Sequence, residues 1–117
     1  MRPETRAWLW DAREACAAVT SFVDGLALET YADDLRTRSA VERQLEILGE
    51  SLKRVRQHDP EVAVLVPDIA NIIGMRNLLA HEYGVVDDRL VWDAAVHGVP
   101  GVLKALQALL NEPPLTA

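Results

Sequence analysis

The stretch RNLLAHEY at positions 76–83 brings an arginine, an asparagine, a histidine and a tyrosine close together along the chain. These side-chain types suit phosphodiester chemistry. Histidine, with an ordinary pKa of about 6.5, exchanges protons near neutrality, and arginine offers fixed, paired donors to phosphate oxygens. His81 can take the proton of a ribose 2'-hydroxyl while Arg76 stabilises charge growing on the phosphorus-bound oxygens. A second histidine can then protonate the departing 5'-oxygen. Such cleavage uses no metal and no other cofactor. Asn77 can orient His81 or bind RNA. Tyr83 can stack on a base, hydrogen-bond to phosphate or accept a modifying nucleotide through its hydroxyl.

On a helix, Arg76 and Tyr83 are seven residues apart, hence nearly superposed in angle and roughly 10 Å apart along the axis. His81 follows Arg76 by five residues, which turns it about 140° away and onto the Asn77 face. One phosphate is therefore easier to enclose between two copies of this helix than on one. Structural roles suit the same residues: Arg76 can pair with Glu46 or Glu50 of a neighbouring helix, Tyr83 can anchor a helix end, and Asn77 can cap an exposed turn.

The elements that position this stretch are legible as hydrophobic periodicity. Trp8, Ala12, Ala15, Val19, Phe22 and Leu26 recur at steps of four and three, predicting a first helix with Thr5 as its cap and Gly25 near its end. LALETYADD reads as a connector with one helical turn. Val41, Leu45, Leu48, Leu52 and Val55 predict a second long helix over about 37–56, with Glu46 and Glu50 placed one turn apart on its charged face at a small cost. HDP at 58–60 reads as a turn. Pro67 and Asp68 are expected to open the motif helix, which passes through Ile69, Ile72, Ile73, Leu79 and Ala80 to a stop at Gly84; Gly74 within it suggests close helix packing. Gly98 and Pro100 divide the remainder into helices of about 88–97 and 100–110, followed by a frayed tail from about 111.

Composition narrows the possibilities. A chain of 117 residues, half apolar and 26% charged, suits one folded domain spanning 1–117. Aromatic residues are only 5%, which favours closely packed helices over a sheet. The net charge is -6, yet ten of the twelve basic residues are arginines. A polyanion must therefore be held by a local cluster, for which Arg36, Arg38, Arg43 and Arg54 are candidates. Cys16 is the only cysteine, so neither an internal disulfide nor a cysteine-rich metal site can form. No run of eighteen apolar residues occurs and acids interrupt the N-terminal segment, giving the expectation of a cytoplasmic protein without a membrane span.

RNLLAHEY matches the pattern of arginine, four residues, histidine, any residue and tyrosine, and on it the sequence resembles the HepT toxin family of the HEPN superfamily. The segment DLRTRSAVERQLEILGESLKRV is similar to that family's second long helix, with its glycine-glutamate pair at Gly49 and Glu50. The similarity covers roughly residues 8–110. The resemblance implies an all-α, up-and-down bundle of four to five main helices that dimerises so that two motif helices form a cleft. It implies a metal-independent endoribonuclease toxin, with Arg76 and His81 catalytic and Asn77, Tyr83 and Glu50 supporting or binding RNA. It further implies a nucleotidyltransferase antitoxin of the MntA kind that transfers AMP to Tyr83, placing a bulky anion in the cleft. A second reading of a different class is a non-catalytic helical subunit that binds such a nucleotidyltransferase and serves as its modification acceptor.

Overall fold

Pro3 sets the start of α1 (Pro3–Val23): its ring presets the helical φ, and its missing N–H falls where no intrahelical acceptor exists. A computed structural model describes residues 1–81 and 86–111. Extended Arg2 is the capping residue of α1, and Thr5, expected there, is instead fully buried inside the first turn. The buried stripe comprises Leu9, Ala12, Ala15, Cys16, Val19 and Val23, displaced by one residue from part of the predicted face. Trp8 is half-buried against His58, and Phe22 is 39% exposed. The helix ends before Gly25, whose φ of 75° suits a residue without a side chain.

The connector contains α2 (Leu28–Asp33), a single short helix that buries Tyr31 edge-on to Trp92, with ring centres 5.2 Å apart. Asp34 then caps α3 (Leu35–His58), its carboxylate accepting from the backbone N–H of Thr37 at 3.3 Å and from the Thr37 hydroxyl at 2.7 Å. The cap lies three residues before the start that periodicity suggests, because a capping carboxylate leaves no mark on a hydrophobic pattern. Val41, Leu45, Leu48, Leu52 and Val55 are all fully or almost fully buried, as their spacing requires. Pro60 begins the brief α4 (Pro60–Ala63).

The motif helix α5 spans Ile69–His81. Asp68 precedes the helix in the left-handed region, at φ 61°, so Pro67 and Asp68 belong to the approach, not to the helical body. Its predicted stop, Gly84, lies outside the described residues, as does the tail from 112 onward. The largest departure from the sequence reading comes at Gly98 and Pro100. The chain runs from α6 (Asp88–Asp93) through a π-helical segment (Ala94–Gly98) into α7 (Val99–Leu109), with Gly98 and Val99 both right-handed. The Val99 N–H bonds to the Ala94 carbonyl five residues back. That wider turn lets Pro100, which has no N–H to give, follow without a break.

Among the described residues every regular element is helical, and the assembly is an all-α bundle. α3 packs between α1 and α5, while α7 covers α1 from another side. α5 therefore lies at the edge of the row, supported by α3 and by no other described helix to a comparable extent. Among the described residues no helix is long and apolar enough to cross a membrane.

Candidate active site

The site is built where α5 leans on α3. Gly49 is buried on α3, and a Cβ added to it would overlap Arg76 Cβ, stand 2.8 Å from Arg76 Cγ and lie 3.2 Å from the Ile72 carbonyl oxygen. Only a residue without a side chain lets the two helices come this close. The approach carries the stem of Arg76 across α3 and sets its guanidinium against the next residue, Glu50.

Arg76 Nη2 stands 3.0 Å from Glu50 Oε2, and Arg76 Nη1 donates to Asn77 Oδ1 at 3.0 Å. The first contact is an ion pair without the direction of a hydrogen bond, since buried Oε2 has no hydrogen-bond donor among the described residues. Glu50 Oε1 meets Arg54 at 3.4 Å, so this carboxylate lies between two guanidiniums. Glu46, the other partner considered for Arg76, pairs instead with Arg43 at 3.8 Å. Each acid of the one-turn pair thus has its own arginine, which offsets the repulsion expected from their spacing. Arg43, Glu46, Ile47, Glu50, Ser51 and Arg76 line a surface groove of about 220 Å³.

His81 is exposed in the last turn of α5, and none of the described residues hydrogen-bonds or ion-pairs with its side chain. Arg76 turns toward Glu50 on α3, and exposed His81 does not line the groove beside it. Asn77 is engaged by Arg76. Tyr83 lies outside the described residues. Of the four arginines considered as surroundings, Arg43 lines the groove and Arg54 reaches Glu50. Arg38 is committed elsewhere, donating to the Ala32 carbonyl and standing 3.9 Å from Asp88, and Arg36 is exposed in the first turn of α3. Gly74 is exposed, and a Cβ there would meet nothing within 4 Å, so it is not a packing device within this chain. Ser51, buried at the groove floor, escapes the sequence reading because a lone serine between Leu48 and Leu52 carries no signal of its own.

Other reactive groups are withdrawn from chemistry. Burial pushes the Cys16 thiol up to about 12, which keeps it from acting as a thiolate nucleophile. Burial, reinforced by the charges of Glu42 and Asp88, also raises the Tyr31 hydroxyl, whose oxygen has no partner among the described residues. Among the described residues no three or more His, Cys, Asp or Glu side chains cluster so as to hold a metal ion.

A family model described as ribonuclease HepT-like matches residues 12–109. A Methanocaldococcus jannaschii protein named as a candidate RNase is 24% identical over 111 residues, covering 95% of this chain and 91% of that protein. A second candidate RNase, from Caldanaerobacter subterraneus subsp. tengcongensis, is 30% identical over 107 residues, covering 92% and 95%. A candidate ribonuclease HepT from Thermococcus cleftensis is 30% identical over 104 residues, covering 87% and 92%. No solved structure matches the chain significantly.

Proposed function

The chain belongs to the HepT-like ribonuclease family, and from that premise we propose that it is a metal-independent endoribonuclease toxin whose catalytic residues are Arg76 and His81. The observation that carries this reading is Arg76 itself, half-buried at the lip of a groove and oriented by Glu50 and Asn77, with exposed His81 on the same helix. An arginine already oriented by two partners loses little freedom when it meets a phosphate. Glu50 acts as its positioning residue, and Asn77 holds it from the other side.

In the proposed reaction His81 accepts the proton of the ribose 2'-hydroxyl as that oxygen attacks phosphorus. The bond from phosphorus to the 5'-oxygen breaks, and that oxygen takes a proton from the histidine of a second copy. The products are a 2',3'-cyclic phosphate and a 5'-hydroxyl. The second copy is required by direction, because Arg76 and His81 diverge by about 140° on one helix. Two features support a homodimer across α5: its place at the edge of the row, and Gly74, which shares the His81 stripe seven residues away and has open space above it. We read residues 1–117 as one domain acting in the cytoplasm. We extend the reading to a nucleotidyltransferase antitoxin of the MntA kind that places AMP on Tyr83.

The test is RNA cleavage by the protein purified free of any partner and without divalent metal, compared with Arg76→Ala and His81→Ala. Each variant should lose about 10²- to 10⁴-fold in rate while keeping its helical content, and product ends should be cyclic phosphate and 5'-hydroxyl. Activity that vanishes on chelation and returns with metal would overturn the mechanism. A folded, dimeric protein that binds a nucleotidyltransferase yet cleaves nothing would establish the alternative of a non-catalytic modification acceptor.

A further inference from the structure

The groove beside Arg76 has charged neighbours that the cleavage step does not use. Arg43 and Arg54 are eleven residues apart on α3, which places them within about 20° of the same stripe and roughly 16 Å apart along the axis. Glu50 lies between them, roughly 10 Å from the first and 6 Å from the second, and it is there that the guanidinium of Arg76 arrives from α5. Three guanidiniums thus form a row, with the proposed cleavage arginine in the middle. The two flanking arginines stand out beyond the acids, with side-chain exposure of 69% for Arg43 and 53% for Arg54 against 33% for Glu46 and 37% for Glu50, while Arg76 between them is at 23%. Each guanidinium carries five N–H donors, of which a single carboxylate occupies at most two. Three arginines against two glutamates leave this patch formally positive on a chain whose net charge is -6.

We propose that Arg43 and Arg54 form two flanking phosphate subsites that hold the RNA strand on either side of the phosphate engaged by Arg76. The span favours this ligand class. A free phosphate engages one guanidinium at a time, whereas an extended single strand presents a phosphate at every step and can meet several along one row. Glu46 and Glu50 then serve as placeholders that keep the arginines spread in the free protein and yield their outer donors to the strand. Arg38 turns away to the Ala32 carbonyl and Asp88, and Arg36, two turns before Arg43 on the same stripe, does not line the groove. The inference rests on the RNase reading for its ligand and is independent of the identity of the proton carriers.

Single-stranded RNA oligonucleotides of several sequences are titrated against the His81→Ala protein, alone and combined with Arg43→Ala or Arg54→Ala, across a range of salt concentrations. Cleavage by the unsubstituted protein is measured in parallel. Removing either arginine should weaken binding about two- to fivefold for every sequence and lower the slope of log affinity against log salt by about 0.7. Arg56→Ala, exposed on α3 but about 160° around the helix from Arg54, should keep the full slope. Cleaving wild type with undiminished affinity and slope in both variants would overturn the subsites and leave the RNase reading standing. Salt-dependent binding that falls with Arg43 and Arg54, from a protein that never cleaves, would retain the subsites and overturn the RNase reading. Neither binding nor cleavage would remove both. The two side chains are largely exposed, so their loss leaves the fold intact; circular dichroism verifies this.

Discussion

Gly49 and Arg76 meet where α5 leans on α3, with the glycine leaving no room for a methyl: a Cβ would stand 2.8 Å from Arg76 Cγ and 3.2 Å from the Ile72 carbonyl. Rigid atoms surround the position, since the base of a side chain and a helical backbone cannot swing aside as a side-chain tip can. Gly49→Ala should therefore push α5 outward, cost about 1–3 kcal/mol by overpacking, and lower RNA cleavage beyond any loss of folded protein. Urea denaturation and cleavage rate normalised to folded fraction check both parts. Unchanged stability and activity would show that the close approach does not matter.

Glu50 stands 3.0 Å from Arg76, so under the proposed function its removal should show the signature of a positioning residue. Glu50→Gln keeps the shape and removes the charge; we expect kcat to fall about tenfold with a smaller change in KM. Glu50→Asp, which restores the carboxylate on a shorter stem, should recover part of kcat. A KM effect alone, with no recovery in the aspartate variant, would assign Glu50 to RNA binding.

Gly74 tests the second copy. Its Cβ position is open within this chain, so a larger helix-forming residue is accommodated by the isolated fold. Gly74→Gln should raise the dimer dissociation constant on the order of tenfold and leave helicity undiminished. Sedimentation equilibrium reads this directly, and an unchanged constant would move the interface off this face.

Tyr83 is the expected acceptor of AMP. With a cognate nucleotidyltransferase, ATP and magnesium, the wild-type protein should gain one AMP mass at Tyr83 and lose RNase activity. Tyr83→Phe should keep the ring, remove the acceptor oxygen and resist the modification. Peptide mapping that finds the nucleotide on another residue, with inhibition intact, would overturn the assignment.

One turn before Glu46 on α3, burial raises the Glu42 carboxyl above its ordinary 4.5; the charges of Asp88 and Glu46 add to this and Arg38 opposes it. A raised acid is disfavoured as an anion in the fold. Its contribution is fully present below 4.5 and is lost as pH rises through the folded value. Glu42→Gln should therefore be more stable than wild type at neutral pH, with the advantage shrinking in acid. Urea midpoints across this range check the sign, and a constant difference at all pH values would contradict it.

The sequence by itself determined the helical class and most of the core. The steps of four and three that place Val41, Leu45, Leu48, Leu52 and Val55 on one stripe are a property of the helix alone, and all five are buried. RNLLAHEY was legible as a motif because it is contiguous, and its arginine and histidine are separated by a fixed angle on any helix. Local signals failed where a longer-range geometry took over. Gly98 and Pro100 read as a break, but a π-turn carries the chain through them. Gly74 read as a packing glycine and faces open space, while Gly49 is the one that another helix presses upon. The tertiary structure alone chose Glu50 over Glu46 for Arg76, put Arg43 on the groove and Arg54 on Glu50, and drew Arg38 away. Periodicity fixes which face of a helix a residue occupies; only the packing of α5 on α3 decides which residues of the two faces come within reach, since that depends on how far apart and at what register the helices lie.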